Sequence, residues 1–116
     1  MKPWVRYQDL LIEDLKDPEE AQGYLNAALE EGDEKLFLVA LRNVLEAQGG
    51  LSKFSKQARL NRVSLYKMLS RRGNPEWASI ISLLNALGIQ FRLVEKNPPQ
   101  NLTKKRLNFL QTAWAY

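Results

Sequence analysis

Start and stop signals for helices recur so closely along this chain that it can fold only as a succession of short helices. Asp17-Pro18-Glu19-Glu20 is a start. Asp supplies an N-cap oxygen, Pro stands where its missing N–H costs nothing, and Glu20 sits at N3, where a carboxylate can close a capping box. Ala21, Tyr24, Leu25, Ala28 and Leu29 then fall at i, i+3, i+4, i+7 and i+8, a single apolar stripe. Gly32 stops this helix. Asp33 caps the next, whose apolar residues Phe37, Val39, Ala40, Leu41, Val44 and Leu45 cover a face wide enough for a central position, and Gly49-Gly50 ends it. A short segment from Leu51 to Ala58 precedes Asn61, an N-cap whose matching stop is Gly73. Asn74-Pro75-Glu76 repeats the start signal. Trp77, Ile80, Ile81, Leu84 and Leu87 form the stripe that follows, with Trp77 expected in the core and Gly88 as the terminator.

After Gly88 the period changes. In Ile89-Gln90-Phe91-Arg92-Leu93 apolar and polar residues alternate, which predicts a strand. A lone strand in a helical domain leaves an unpaired edge, so Ile89, Phe91 and Leu93 are expected to pair with the same residues of a second copy about a two-fold axis. Asn97-Pro98-Pro99-Gln100-Asn101 reads as a linker, and Thr103–Tyr116 as a short helix carrying Leu107, Leu110 and Trp114 on one side. The segment Met1–Lys16 holds Trp4, Tyr7, Leu10, Leu11 and Leu15 without a clear period. The organisation expected is an acidic helical segment over 1–32, a multi-helix unit with a terminal strand over 33–96, and a linker with a helical tail over 97–116. The fold class is mainly α, about five helices with one short C-terminal strand, within the size of one domain at 116 residues.

The chain has no Cys and no His. It therefore lacks the commonest general base and the commonest transition-metal ligands, and no phosphate-cradling glycine loop or nucleophile motif occurs. Adjacent acids such as Glu30-Glu31 diverge by ~100° on a helix and do not make a catalytic pair. A binding protein is expected, not an enzyme, with no cofactor and no metal. No run approaches the ~18 apolar residues of a membrane span, and acids occupy the N-terminal stretch where a signal peptide needs its apolar core. The expected location is the cytoplasm, away from membranes.

Charge is distributed unevenly. From Met1 to Lys35, four cations stand against ten acids; from Leu36 to Tyr116, thirteen cations stand against three acids, Glu46, Glu76 and Glu95. Between Lys53 and Arg72 lie seven cations and no acid. This run coincides with two short helices joined by a tight turn, the spacing of a helix-turn-helix. Phe54, Ala58, Leu60, Leu65, Met68 and Leu69 would hold the pair together, leaving Val63, Tyr66, Lys67, Ser70 and Arg71 outward, with Arg62 and Ser64 on the flanks. Such a face suits a DNA major groove. Arg62, Ser64 and Lys67 are the expected base readers, with Val63 against a thymine methyl. Ser52, Lys53, Lys56, Tyr66, Arg71, Arg72 and Asn74 are the expected phosphate contacts. The bland alternative is a solvated cationic face. Arg59 falls at the turn position that is usually Gly because the backbone there takes φ > 0; a strained turn, at a cost of order 1 kcal/mol for a non-glycine residue, and a turn of a different kind are both open.

The succession from Tyr7 to Glu95, with YLNAALEEGD and SLYKMLSRRGNP as its most specific parts, resembles the addiction-module antidote proteins, HigA-like antitoxins with a lambda-repressor-like (Cro/cI-type) helix-turn-helix. The resemblance implies a dimeric binder of operator DNA that represses its own operon and neutralises an RNase toxin of the RelE/HigB type by direct contact. Arg59 stands where that family usually has Gly, and the extension beyond Lys96 lies outside its pattern. A ribonuclease needs a basic surface for RNA, so Asp9, Glu13, Asp14, Asp17, Glu19 and Glu20, with Glu30 and Glu31, are candidate toxin-facing residues; solvated first-turn acids favoured by the helix dipole are the plain alternative. A stand-alone or phage-like transcriptional regulator without a toxin is the second functional expectation. A protein- or RNA-binding module that no longer reads DNA is the third.

Overall fold

Half of the residues between Glu34 and Ala47 are buried, and that segment organises everything around it. In the structure, a computed structural model that describes residues 6–96, it is the third of six helices: α1 (Tyr7–Asp14), α2 (Pro18–Glu30), α3 (Glu34–Ala47), α4 (Leu51–Gln57), α5 (Arg62–Met68) and α6 (Trp77–Leu87). α1, α2 and α4 pack on α3, α5 packs on α4, and α6 closes over α4. Leu41, Val44 and Leu45 of α3 share one core with Leu15, Leu25, Phe54, Leu65, Leu69 and Leu83. Each fully buried Leu of this kind contributes about 1.5–3 kcal/mol.

The caps form where the local chemistry dictates. Asp17 accepts from the Glu19 N–H at 3.0 Å. Asp33 accepts from the Lys35 N–H at 2.9 Å and the Leu36 N–H at 3.4 Å, and Gly88 takes the left-handed conformation, φ 78°, at the end of α6. Asn43, buried on α3, would be costly without partners. It accepts from the Gln8 side-chain amide and donates to the Tyr24 hydroxyl, both at 2.9 Å, so α1, α2 and α3 meet at a satisfied polar node. Gln48 donates to the Leu15 and Lys16 carbonyls just beyond α1, tying that short helix to the end of α3.

Four expectations need correction. Among the described residues the count is six helices, not about five, because Tyr7–Asp14 forms a helix of its own. No strand occurs among the described residues. The alternation over Ile89–Leu93 is real, since Ile89 and Phe91 are half-buried and Gln90 and Arg92 exposed. A strand, however, exists only as part of a ladder, and the described chain offers no second segment to complete one. Leu93 is 97% and Val94 82% exposed. The start signal at Asn74 works two residues later: the N-cap is Glu76, which makes no side-chain hydrogen bond, and α6 begins at Trp77. Trp77 is 66% exposed rather than core. The buried residues of α6 are Ile80, Leu83 and Leu84, a sector centred ~65° from Trp77 at 3.6 residues per turn. Trp77 instead stacks on Phe91, ring centroids 5.2 Å apart, and Phe91 leans on Phe37 at 5.9 Å. The segment 1–5 and the linker and tail over 97–116 lie outside the described residues.

Candidate nucleic-acid interface

α4 and α5 are two seven-residue helices set on the core by a few large side chains. α4 buries Leu51, Phe54 and Ser55, the Ser55 hydroxyl donating to the Ser52 carbonyl at 2.8 Å. Its end closes through two bonds: Arg59 N–H to the Lys56 carbonyl at 3.2 Å and Leu60 N–H to the Ser55 carbonyl at 2.8 Å. That pair defines a Schellman motif, whose C′ residue must be left-handed. Arg59 is that residue, with φ 56°, and it is the one described non-glycine residue at positive φ. Of the two turns that the sequence left open, the strained one is present, and a cation stands where glycine would be relaxed. Asn61 then accepts from the Val63 N–H at 2.8 Å and the Ser64 N–H at 3.3 Å, starting α5.

α5 is anchored by Leu65 and, just past its end, by Leu69, both fully buried. The remaining face looks outward: Arg62, Val63, Ser64, Tyr66 and Lys67 are exposed, Val63 at 62%. All four expected base readers are thus accessible on α5, Val63 and Lys67 on its outward face and Arg62 and Ser64 on the two flanks. Of the expected phosphate contacts, Ser52, Lys53, Lys56, Arg71, Arg72 and Asn74 are exposed on or beside the two helices. Lys53 rests its ammonium 5.2 Å from the Phe54 ring centroid. The ion pairs among the described residues are Arg6–Asp9, Lys16–Glu13 and Arg42–Glu46. None involves a cation between Lys53 and Arg72, so this surface carries its charge uncompensated.

Gly73 is not a left-handed stop, since α5 ends at Met68 and Gly73 has ordinary φ. A Cβ at Gly73 would overlap the Met68 carbonyl, so it permits the chain leaving α5 to turn back against that helix. The Lys35 ammonium donates to the Gly73 carbonyl, which holds this return to α3.

Arg42 is the residue that the sequence reading missed. Its guanidinium lies 5.0 Å from the Tyr66 ring centroid, and Arg62 lies over the same ring at 5.9 Å. Nothing adjacent to Arg42 in the sequence marks it, since its contact is with a residue 24 positions further on.

The candidate toxin-facing acids lie on exposed parts of α1 and α2 and their junction. Two are paired locally, Asp9 with Arg6 at 3.4 Å and Glu13 with Lys16 at 2.8 Å, and Asp17 is engaged as a cap; Asp14, Glu19 and Glu20 have no ion-pair partner among the described residues. A groove of about 600 Å³ opens between α2 and the chain after α6, with Leu25, Leu29, Phe37, Ile89 and Phe91 in its walls, and no residue of α4 or α5 lines it. No described helix is long and apolar enough to cross a membrane.

Residues 8–95 match the sequence model of a family described as probable addiction module antidote protein. An uncharacterized protein of Haemophilus influenzae is 38% identical over 83 residues, covering 72% of this chain and 84% of that relative. No solved structure matches. The match extends from α1 through α6 to the exposed residues that follow, and the chain belongs to the family of probable addiction module antidote proteins.

Proposed function

We propose that the protein is the antitoxin of a toxin–antitoxin module that binds operator DNA as an autorepressor and neutralises a RelE/HigB-type RNase toxin by direct binding. Membership of an antidote family implies a toxin of some kind. The observation that carries the DNA half is the outward face of α5. An apolar Val63, 62% exposed, sits among Arg62, Ser64 and Lys67 at the start of a capped helix, and no carboxylate neutralises the surrounding cations.

On this reading α4 and α5 act as a helix-turn-helix of the lambda-repressor type. Arg62 and Lys67 donate to guanine O6 and N7, Ser64 hydrogen-bonds a base edge, and Val63 meets a thymine methyl. Ser52, Lys53, Lys56, Arg71, Arg72, Asn74 and the Tyr66 hydroxyl hold phosphates and fix the register. A homodimer presents two such helices to half-sites about 34 Å apart, or a multiple of that. The exposed Leu93 and Val94 supply apolar surface for the pairing of subunits. The acids of α1 and α2 complement a basic toxin surface and steer its approach. The reading puts the protein in the cytoplasm, with its DNA, as a binding protein and not a catalyst.

Selection from a randomised duplex library tests the DNA half: enrichment of a two-fold symmetric site, recurring upstream of the protein's own gene, is the expected result. Recovery of no preferred sequence contradicts it. Co-purification with the product of a neighbouring small basic reading frame tests the antitoxin half and separates it from a stand-alone regulator.

A further inference from the structure

We infer that Tyr66 is a positioning residue whose ring aligns Arg62 for base reading and is itself braced by Arg42 of α3. This rests on the DNA-binding reading of α5 and assigns it a specificity-determining support that lies outside the two-helix unit.

The geometry is a relay of four side chains. Glu46 Oε1 accepts from Arg42 Nε at 3.4 Å. Arg42 carries its guanidinium over Tyr66 at 5.0 Å, and Arg62, one turn before Tyr66, lies over the same ring at 5.9 Å. Both distances fall within the range over which an aromatic face attracts a cation. Arg62 is the first residue of α5, and a long side chain at a helix end samples many rotamers. Ordering it before contact lowers the entropy lost on binding. The guanidinium has a planar fork that reads guanine only when its plane is aligned, an orientation that a neighbouring aromatic face favours and an ammonium could not exploit.

Glu46 and Arg42 make a different contribution from the phosphate-binding cations. Their charges offset one another, so Arg42 brings little net charge to the DNA face. Its effect passes through the Tyr66 ring. The Tyr66 hydroxyl is dispensable for this role, and the ring is not.

The full-length chain, its Tyr66→Phe, Tyr66→Leu, Arg42→Ala and Arg62→Ala variants, and the duplex selected by the wild type provide the test, with each base pair substituted in turn. Arg62→Ala locates the base pair that Arg62 reads. Tyr66→Leu and Arg42→Ala should then lose about two- to fivefold of the discrimination at that base pair. Tyr66→Phe should keep it, the salt slope should stay unchanged in Arg42→Ala, and Tyr66→Leu combined with Arg62→Ala should add little to Arg62→Ala alone. Tyr66→Phe behaving like Tyr66→Leu, or Tyr66→Leu retaining full discrimination, overturns the proposal while leaving DNA binding intact. NMR of the DNA-free protein reads the stack separately: the Arg62 Nε–H resonance should be ring-current shifted in wild type and Tyr66→Phe and revert in Tyr66→Leu. An unshifted wild-type resonance overturns the brace whether or not DNA binds. A shifted resonance with no sequence selected by the wild type overturns the DNA reading and, with it, the specificity role.

Discussion

α3 in the acidic half and α5 in the basic half start on the same capping geometry in surroundings of opposite charge. Asp33 and Asn61 each accept two backbone N–H bonds at nearly the same lengths, 2.9 and 3.4 Å against 2.8 and 3.3 Å. Asn and Asp are about equally good caps, so geometry does not decide between them. α2 and α3 add acids in the first turn, where the helix dipole favours them, whereas α5 begins with Arg62 and has no acid there. Placing a cation at the positive end of a helix forgoes roughly 0.3–1 kcal/mol. On one side, ion pairs and caps take up some of the acids; on the other, no cation between Lys53 and Arg72 has a carboxylate partner among the described residues. The contrast indicates that α5 gives up stability to present positive charge, which is what an anion-binding surface requires.

Core substitutions set the scale and should show that the two regions differ in charge, not in packing. Leu65→Ala on α5 and Leu25→Ala on α2 both remove buried side chains and should each lower unfolding free energy by about 2–5 kcal/mol in urea titrations. A negligible loss for Leu65→Ala would mean that α5 is not seated on the core. Arg62→Ala should cost about 1–3 kcal/mol on the selected duplex and relax preference at one base pair, while Lys53→Ala weakens all duplexes alike. Equal losses on selected and scrambled DNA for Arg62→Ala would move that residue to the phosphate group. Reversal of Glu13, Asp14, Glu19 and Glu20 to Lys should slow toxin association at least about tenfold at low salt and leave base preference intact; an unchanged rate would reject the acidic face as the toxin's complement.

Two smaller effects address the caps directly. Asn61→Asp should raise stability by about 0.3–1 kcal/mol and at the same time weaken DNA binding, as a new negative charge meets phosphate. A rise in both would remove the argument drawn from the neutral cap. Arg59→Gly trades left-handed strain of about 1–2 kcal/mol against the extra unfolded-state freedom of Gly, about 0.5–1 kcal/mol. The net gain should be about 0.5 kcal/mol, read as a small rise in Tm.

What was legible in the sequence is what short-range chemistry settles. The caps at Asp17, Asp33 and Asn61 and the glycine at Gly88 each depend on a few adjacent residues and were readable, whereas the left-handed turn at Arg59 came only as one of two turns open to a helix-turn-helix. The outward positions Val63, Tyr66 and Lys67, with Arg62 and Ser64 on the flanks, followed from helical period alone. Features that depend on distant partners were not readable. Trp77 has the spacing of a core residue but lies at the edge of the buried sector, covering Phe91. The alternation at Ile89–Leu93 marks one exposed and one packed side, which a strand and a loop laid on helices share. The Arg42–Tyr66 contact and the Lys35–Gly73 bond join positions far apart in the chain, and no local pattern encodes them.

The central claim is that the uncompensated cations of α4 and α5 bind duplex DNA, and the dependence of affinity on salt tests it most directly. Three to four phosphates neutralised by each subunit of a dimer predict a slope of log K against log salt of about −5 to −7. A slope of only about −1 to −2, or no measurable binding to duplex at low salt, would contradict the account.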